Sequence, residues 1–213
     1  MTPTTIEVFA DIWCPFTHVG LRLVVAERTR LARNDVVLRV RPWPLELVNG
    51  MPMSFDATED HARDLVEQVS PGLFAGLARE TFPTSTMPAL ALVEAAYRRD
   101  ARLGEAMSLR LRDALFEEGR DISDSGVLAE ISDEMVAPPA ETHDADAVMA
   151  SLEEGRLRGV LGSPHFFCGM SDAFCPSLDL SRDEHGALRA KRSTEGLRNF
   201  LGACLGAQTT DDH

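Results

Sequence analysis

The stretch that most constrains this chain runs from Ile6 to Val40, where strand, turn, helix and strand follow one another. Ile6, Val8 and Ala10 alternate with Glu7, Phe9 and Asp11, which puts apolar groups on both faces, as a central strand requires. After the turn Asp11-Ile12-Trp13-Cys14-Pro15, the segment Val19 to Ala32 carries Leu21, Val24, Val25, Arg28 and Leu31 at helical spacing. Pro15 stands where a first helical turn tolerates proline. Val36-Val37-Leu38-Arg39-Val40 reads as a second strand, stopped by Pro42 and Pro44. Such a βαβ unit crosses over right-handed, so its strands are parallel. The chain is therefore expected to be α/β.

From about Asn49 to about Thr142 strand signals vanish and helix signals recur. Residues 60–79 read as helical with a break at Pro71-Gly72. Thr86 is a candidate cap with Pro88 in the first turn, and Leu90, Val93 and Tyr97 form the stripe that follows. Met107, Leu111, Ala114 and Leu115 share one face of a helix that ends near Gly119. Val127 to Met135 is a further helix, started by Asp124 or Ser125 and ended before Pro138-Pro139. A helix over Ala145–Arg158 comes next, then a short buried strand around His165-Phe166-Phe167-Cys168. A further strand is expected at Leu188–Lys191, a last helix carrying Leu197, Phe200, Leu201, Cys204 and Leu205, and a polar, frayed tail from Gln208.

Lys and Arg number 21 against 34 Asp and Glu, a net charge of −13. That balance argues against a nucleic-acid footprint, which needs a basic face, and disfavours docking on anionic lipid. With 44% hydrophobic and 26% charged residues, disorder and coiled coil are disfavoured too. No apolar run reaches the length of a membrane span, and Met-Thr-Pro-Thr-Thr-Ile-Glu-Val lacks the basic and apolar regions of a signal peptide. A cytoplasmic location is expected, with no membrane and no nucleic acid among its partners. Four cysteines in 213 residues are too few for a disulfide framework, so each needs its own explanation.

Cys14 lies between a strand and a helix, where unsatisfied backbone N–H groups and the helix dipole favour thiolate over thiol. The thiolate is the nucleophile, so the position points to covalent chemistry; the alternative is a small buried hydrophobe. In a C-x-x-C dithiol, position 17 would hold the resolving cysteine. Thr17 can donate a hydrogen bond to a thiolate but cannot resolve a disulfide. Ser163-Pro164 opens the later strand with a residue that forfeits a ladder bond. Either it is an ordinary trans proline at a strand start, or a cis bond exposes the Ser163 backbone beside Cys14.

At these residues the sequence resembles the DsbA-like thioredoxin-fold family. That family includes FrnE-like oxidoreductases, kappa-class glutathione transferases and 2-hydroxychromene-2-carboxylate isomerases. The resemblance is carried by Phe9-Ala10-Asp11-Ile12-Trp13-Cys14-Pro15-Phe16-Thr17 with Gly20, by Leu115-Phe116-Glu117-Glu118-Gly119-Arg120-Asp121-Ile122, and by Gly159-Val160-Leu161-Gly162-Ser163-Pro164-His165-Phe166. It spans roughly residues 4 to 205. It implies a thioredoxin-like fold of DsbA type, formed by residues 1–50 and 143–207, with an all-helical insertion over 51–142 and a tail over 208–213. It also implies that Cys14 is the reactive residue, that Pro164 is cis, and that the site lies between the two domains. C-P-F-T in place of C-x-x-C departs from the oxidoreductase pattern and rules out a dithiol cycle within the motif.

Cys14, Thr17 and Pro164 are thus the expected catalytic residues, and Trp13, Pro15, Phe16, His18, Trp43, Ser163 and His165 the expected binding residues. His18 either tunes Cys14 or faces solvent, His165 is expected to face the cleft, and Trp43 is a candidate pocket wall or core residue. Cys168 and Cys175, flanking the turn Gly169-Met170-Ser171-Asp172, are a candidate redox pair or two buried thiols. Cys204 is expected in the core, while His61, His143, His185 and His213 carry no metal spacing and no metal is expected. The leading expectation is an enzyme, a thiol–disulfide oxidoreductase, with no tightly bound cofactor. Glutathione or mycothiol is its co-substrate and a disulfide-containing protein a further partner. A thiol-dependent isomerase or transferase acting on a small aromatic molecule is the alternative. A non-catalytic binding module is the third reading.

Overall fold

β1 (Thr4–Ala10) pairs in parallel with β2 (Val36–Pro42), Thr4 opposite Val36 and Ala10 opposite Pro42, and α1 (Pro15–Arg30) crosses over between them. The coordinates are those of a computed structural model that describes residues 4–205; the expected tail and His213 lie outside the described residues. After β2 come α2 (Leu45–Val48), α3 (Phe55–Gln68), a 3-10 turn (Arg79–Thr81), α4 (Met87–Arg99), α5 (Ala101–Phe116), α6 (Ser125–Glu134) and α7 (Thr142–Leu157). β3 (His165–Cys168) then returns antiparallel to β1, with Phe166 opposite Val8, and β4 (Ser171–Phe174) folds back on β3. The sheet order is β2-β1-β3-β4.

β5 (Leu178–Arg182) and β6 (Leu188–Arg192) make a separate hairpin, and α8 (Thr194–Leu205) follows. The strand expected at Leu188–Lys191 therefore exists, but outside the main sheet. β4 and β5 carry no clear sequence signal, because they are short and largely exposed on one side.

The period-2 alternation sorts side chains onto two faces. Ile6, Val8, Ala10, Leu38, Val40 and Phe166 pack under Leu21 and Val24 of α1 and Leu197, Phe200 and Leu201 of α8. On the other face Phe9 and Trp43 meet Leu152 of α7. Gly155 is required there, since a Cβ would lie 2.5 Å from the Trp43 ring.

The helices between β2 and α7 bury a core of their own around Leu65, Leu90, Val93, Met107, Leu111 and Phe116. Ile12, Trp13 and Val19 belong to that same core, so the turn before α1 is held by the helical layer as well as by the sheet. The helical layer also covers the β2 edge, where exposed N–H groups would otherwise invite another strand. Glu105 accepts from Leu38 N–H (2.8 Å), and the Tyr97 hydroxyl accepts from Val40 N–H and donates to Leu38 O. Asp124 caps α6 by accepting from Gly126 and Val127 N–H. Thr86 occupies the expected cap position of α4 without a side-chain bond, Pro88 lying in the first turn.

Candidate active site

α1 begins where the sequence places it. Cys14 is the N-cap residue, extended at φ −76° and ψ 113°, and Pro15 occupies the first turn. Three hydrogen bonds shape the turn before it. Asp11 Oδ1 accepts from Trp13 N–H (3.2 Å), Asp11 Oδ2 from Leu45 N–H (2.5 Å), and Asp11 O from Cys14 N–H (3.4 Å). Asp11 O also accepts from Arg112 Nη2 (3.0 Å). Arg112 is fully buried on α5 and donates its other Nη to Ser108 O and Oγ. A guanidinium from the helical layer thus fixes the carbonyl that positions Cys14. Arg112 had no sequence signal, because an Arg on an amphipathic helix reads as a solvent-facing charge.

The Ser163-Pro164 bond is cis. It brings Ser163 O within 3.0 Å of Cys14 Sγ, which donates to it. Ser163 Oγ accepts from Asp11 N–H (3.0 Å) and shares a 2.8 Å bond with Thr17 Oγ1. Gly20 on α1 lies against this cluster: a Cβ there would stand 3.1 Å from Ser177 Oγ and 3.7 Å from Pro164 Cγ. Cys14, Thr17, Ser163 and Pro164, distant in sequence, form one cluster. Thr17 and Pro164 are buried, Ser163 and Phe16 are half-buried, and Cys14 is 4% exposed.

That burial decides the protonation state. The low-dielectric surroundings push the Cys14 thiol above its ordinary value, the Asp11 carboxylate adding to the shift, while bonds from Thr17 and Ser163 only partly offset it. The expected thiolate at the helix N-terminus is therefore not the resting form. Asp11 is itself raised, chiefly by burial.

Several other expectations are corrected. His18 faces neither Cys14 nor solvent: it is 1% exposed, its Nε2 lies 2.6 Å from Glu117 Oε1, and its ring packs against Phe74 and Phe116. His165 does not face a cleft. Its Nδ1 accepts from Leu161 N–H (3.1 Å) and its Nε2 bonds Asp172 (3.0 Å), so it pins the loop before Pro164. Trp43 packs on the far face against Phe9 and is core. Trp13 is fully buried and stacks on Phe82. His61, passed over in the sequence, comes from α3 to lie against Phe16 with ring centroids 5.0 Å apart.

Cys168 does not pair with Cys175. A disulfide joins Cys168 to Cys204 of α8, and Cys14 and Cys175 are free and buried. The register gives the reason: Cys168 sits opposite Ser171 at the turn, whereas Cys175 N–H bonds Pro164 O at the other end of the hairpin. Cys204, expected to be a core thiol, is half-buried and bonded.

The sequence profile of the DSBA-like thioredoxin domain matches residues 5–183. The chain belongs to the DSBA-like thioredoxin family. No curated protein matches it in sequence. Among solved structures, the cytosolic disulfide reductase DsbM of Pseudomonas aeruginosa superposes with a TM-score of 0.59 at 21% identity, covering 94% of this chain and 98% of that one. The same protein with GSH gives 0.58 at 20% identity, over 94% and 98%. A 2-hydroxychromene-2-carboxylate isomerase gives 0.58 at 12% identity, over 80% and 88%. At these identities the likeness is one of fold, and it is the DSBA-like fold with helices inserted after β2. Among the described residues, no group of three or more His, Cys, Asp or Glu could hold a metal, and no helix is long and apolar enough to cross a membrane.

Proposed function

We propose that this DSBA-like chain is a thiol–disulfide oxidoreductase that works through Cys14 alone within its motif, with a low-molecular-weight thiol as exchange partner. The observation that carries this reading is the position of Cys14 Sγ. It lies at a helix N-terminus and 3.0 Å from the backbone oxygen of the residue before the cis-proline. A disulfide docked along Ser163 and against Phe16 would meet that sulfur. Attack by Cys14 gives a mixed disulfide, and Thr17 offers no thiol to release it. DsbM, of the same fold, has been solved with GSH and is described as a cytosolic disulfide reductase, which supports glutathione or a related thiol and a cytoplasmic setting. We propose residues 51–142 as the helical insertion domain, its contact with the motif running through Arg112, Ile12 and Trp13.

Incubation with glutathione disulfide followed by intact-mass and peptide mass spectrometry tests the reading. Glutathione is expected on Cys14, and Cys14→Ser is expected to lower glutathione-dependent disulfide reduction by about a hundredfold or more. Unchanged reduction by Cys14→Ser would sink the proposal. Because burial raises the Cys14 thiol, its iodoacetamide reaction in the free protein should keep rising by about tenfold per pH unit from pH 7 to 9. A rate already flat at pH 7 would show a depressed thiol instead.

One observation favours a second reading, a thiol-dependent isomerase or transferase. The neutral Cys14 thiol and the Thr17 and Ser163 hydroxyls together form a set of donors suited to holding a cofactor's thiolate beside Phe16 and His61. Turnover of aromatic substrates that requires glutathione or mycothiol and survives Cys14→Ser would select it.

A further inference from the structure

Cys175 is a second free thiol that the motif itself does not explain. It is 4% exposed and lies at the end of β4, and its backbone N–H donates to Pro164 O at 3.0 Å. Ser163 O, one residue earlier, accepts from Cys14 Sγ. The two free cysteines are therefore hung on consecutive carbonyls around one cis bond. Cys175 follows Phe174, whose partner across the hairpin is His165, so it lies level with Pro164, and the Pro164 ring lies 3.7 Å from the Cβ position of Gly20 on α1, the helix that Cys14 caps. Cys175 packs in the same core cluster as Ile12, Trp13 and Val19, which flank Cys14 in sequence.

The backbone supplies a second sign. Cys175 has φ +49°, a left-handed conformation that costs a non-glycine residue and turns it out of the strand's alternation. Strain of this kind is held where the surrounding structure over-determines it, and here the N–H bond to Pro164 O is part of what holds it.

We infer that Cys175 is the resolving thiol for Cys14, taking the role that Thr17 cannot. The inference rests on the reading of Cys14 as the nucleophile and moves the external thiol to a later step. The Cys14 thiolate attacks one sulfur of the disulfide substrate, the S–S bond breaks, and the first substrate thiolate leaves. Cys175 then attacks Cys14 Sγ. Its proton passes to the second substrate sulfur as that sulfur departs, and a Cys14–Cys175 disulfide forms. The substrate has gained two electrons and become two thiols, and the two cysteines have lost them. Two molecules of a small thiol, leaving as their disulfide, restore the pair.

Burial is the main cause that pushes the Cys175 thiol up to about 12, so it reaches Cys14 as a thiol and gives up its proton in the exchange. The intramolecular attack has the advantage of proximity over attack by a thiol from solution.

The test uses the full chain with Cys168–Cys204 closed. The protein is exposed to glutathione disulfide, quenched in acid at intervals, alkylated and cleaved before aspartate; Asp172 lies between Cys168 and Cys175, so the two separate. In the wild type, glutathione on Cys14 should be transient and give way to a peptide pair linked through Cys14 and Cys175. In Cys175→Ser the Cys14 adduct should last at least about tenfold longer. The same adduct lifetime in both proteins, or a link from Cys14 to Cys168 or Cys204, would overturn the inference and leave Cys14 as the nucleophile. Absence of any adduct on Cys14 in either protein would overturn both. If Cys175→Ser does not fold, the wild-type peptide pair decides, its presence supporting the inference and its absence refuting it.

Discussion

Thr17 is where the chemistry of this motif turns. It is fully buried and bonded to Ser163 Oγ at 2.8 Å, so it holds the serine whose carbonyl receives the Cys14 thiol. Thr17→Cys puts a thiol one helical turn from Cys14. In a Cys175→Ser background it should shorten the life of the Cys14–glutathione adduct by about tenfold or more. It should also cost about 1 kcal/mol through the lost hydroxyl bond. Adduct decay by mass spectrometry and a urea midpoint check the two halves, and an adduct that persists would mean the helix geometry here does not support a dithiol. Cys14, Ser163 and Pro164 were legible in the sequence because a thiol at a strand-to-helix turn and a proline opening a strand each demand a local explanation. Arg112, Cys175 and the Cys168–Cys204 bond were not, because their roles depend on what lies across the fold.

Most helices were readable from caps and stripes, although the one expected over 60–79 spans Phe55–Gln68 and the chain from 69 to 78 is turn and coil; α1 shows what packing adds. His18 would be a neutral bystander on an exposed helix. Under the helical layer it becomes a buried link from α1 to Glu117, and Glu117 Oε1 also accepts from Phe74 N–H at 3.1 Å. Burial holds His18 below its ordinary value despite the neighbouring carboxylate, and Glu117 is lowered by the His18 and Phe74 bonds against its own desolvation. A folded histidine with a depressed pKa binds fewer protons than the unfolded one. Stability should therefore fall as pH drops below about 6.5, the unfolded value. Urea midpoints from pH 7 to 5 should decline, and His18→Gln should flatten that decline relative to the wild type; an equal slope in the variant would remove His18 as its source. The short strands β4 and β5 escaped the sequence because four or five half-exposed residues carry no periodicity above that of a loop.

At the scale of the molecule, two closures hold the C-terminal region to the sheet. Phe200 and Leu201 of α8 bury against Phe166 and the β1 residues, and Cys204 bonds Cys168 across 36 residues of sequence. Closing a loop of that size is worth about 2–4 kcal/mol, so Cys204→Ser should lower the unfolding free energy by that amount without changing exchange at Cys14. Chemical denaturation and the glutathione assay measure the two; loss of exchange together with stability would tie this disulfide to the catalytic cycle. By itself the sequence determined the βαβ start, the helical stretch after it, the cysteine at the strand-to-helix turn and the absence of a second cysteine in its motif. Those depend on neighbours within a few residues, where turn chemistry and periodicity act. Only the tertiary structure decided which cysteine meets which, what protonation burial imposes on Cys14, and which residues the helical layer brings against the motif. Strand register, packing and desolvation act between segments that lie from tens to more than a hundred residues apart, and no local pattern encodes them.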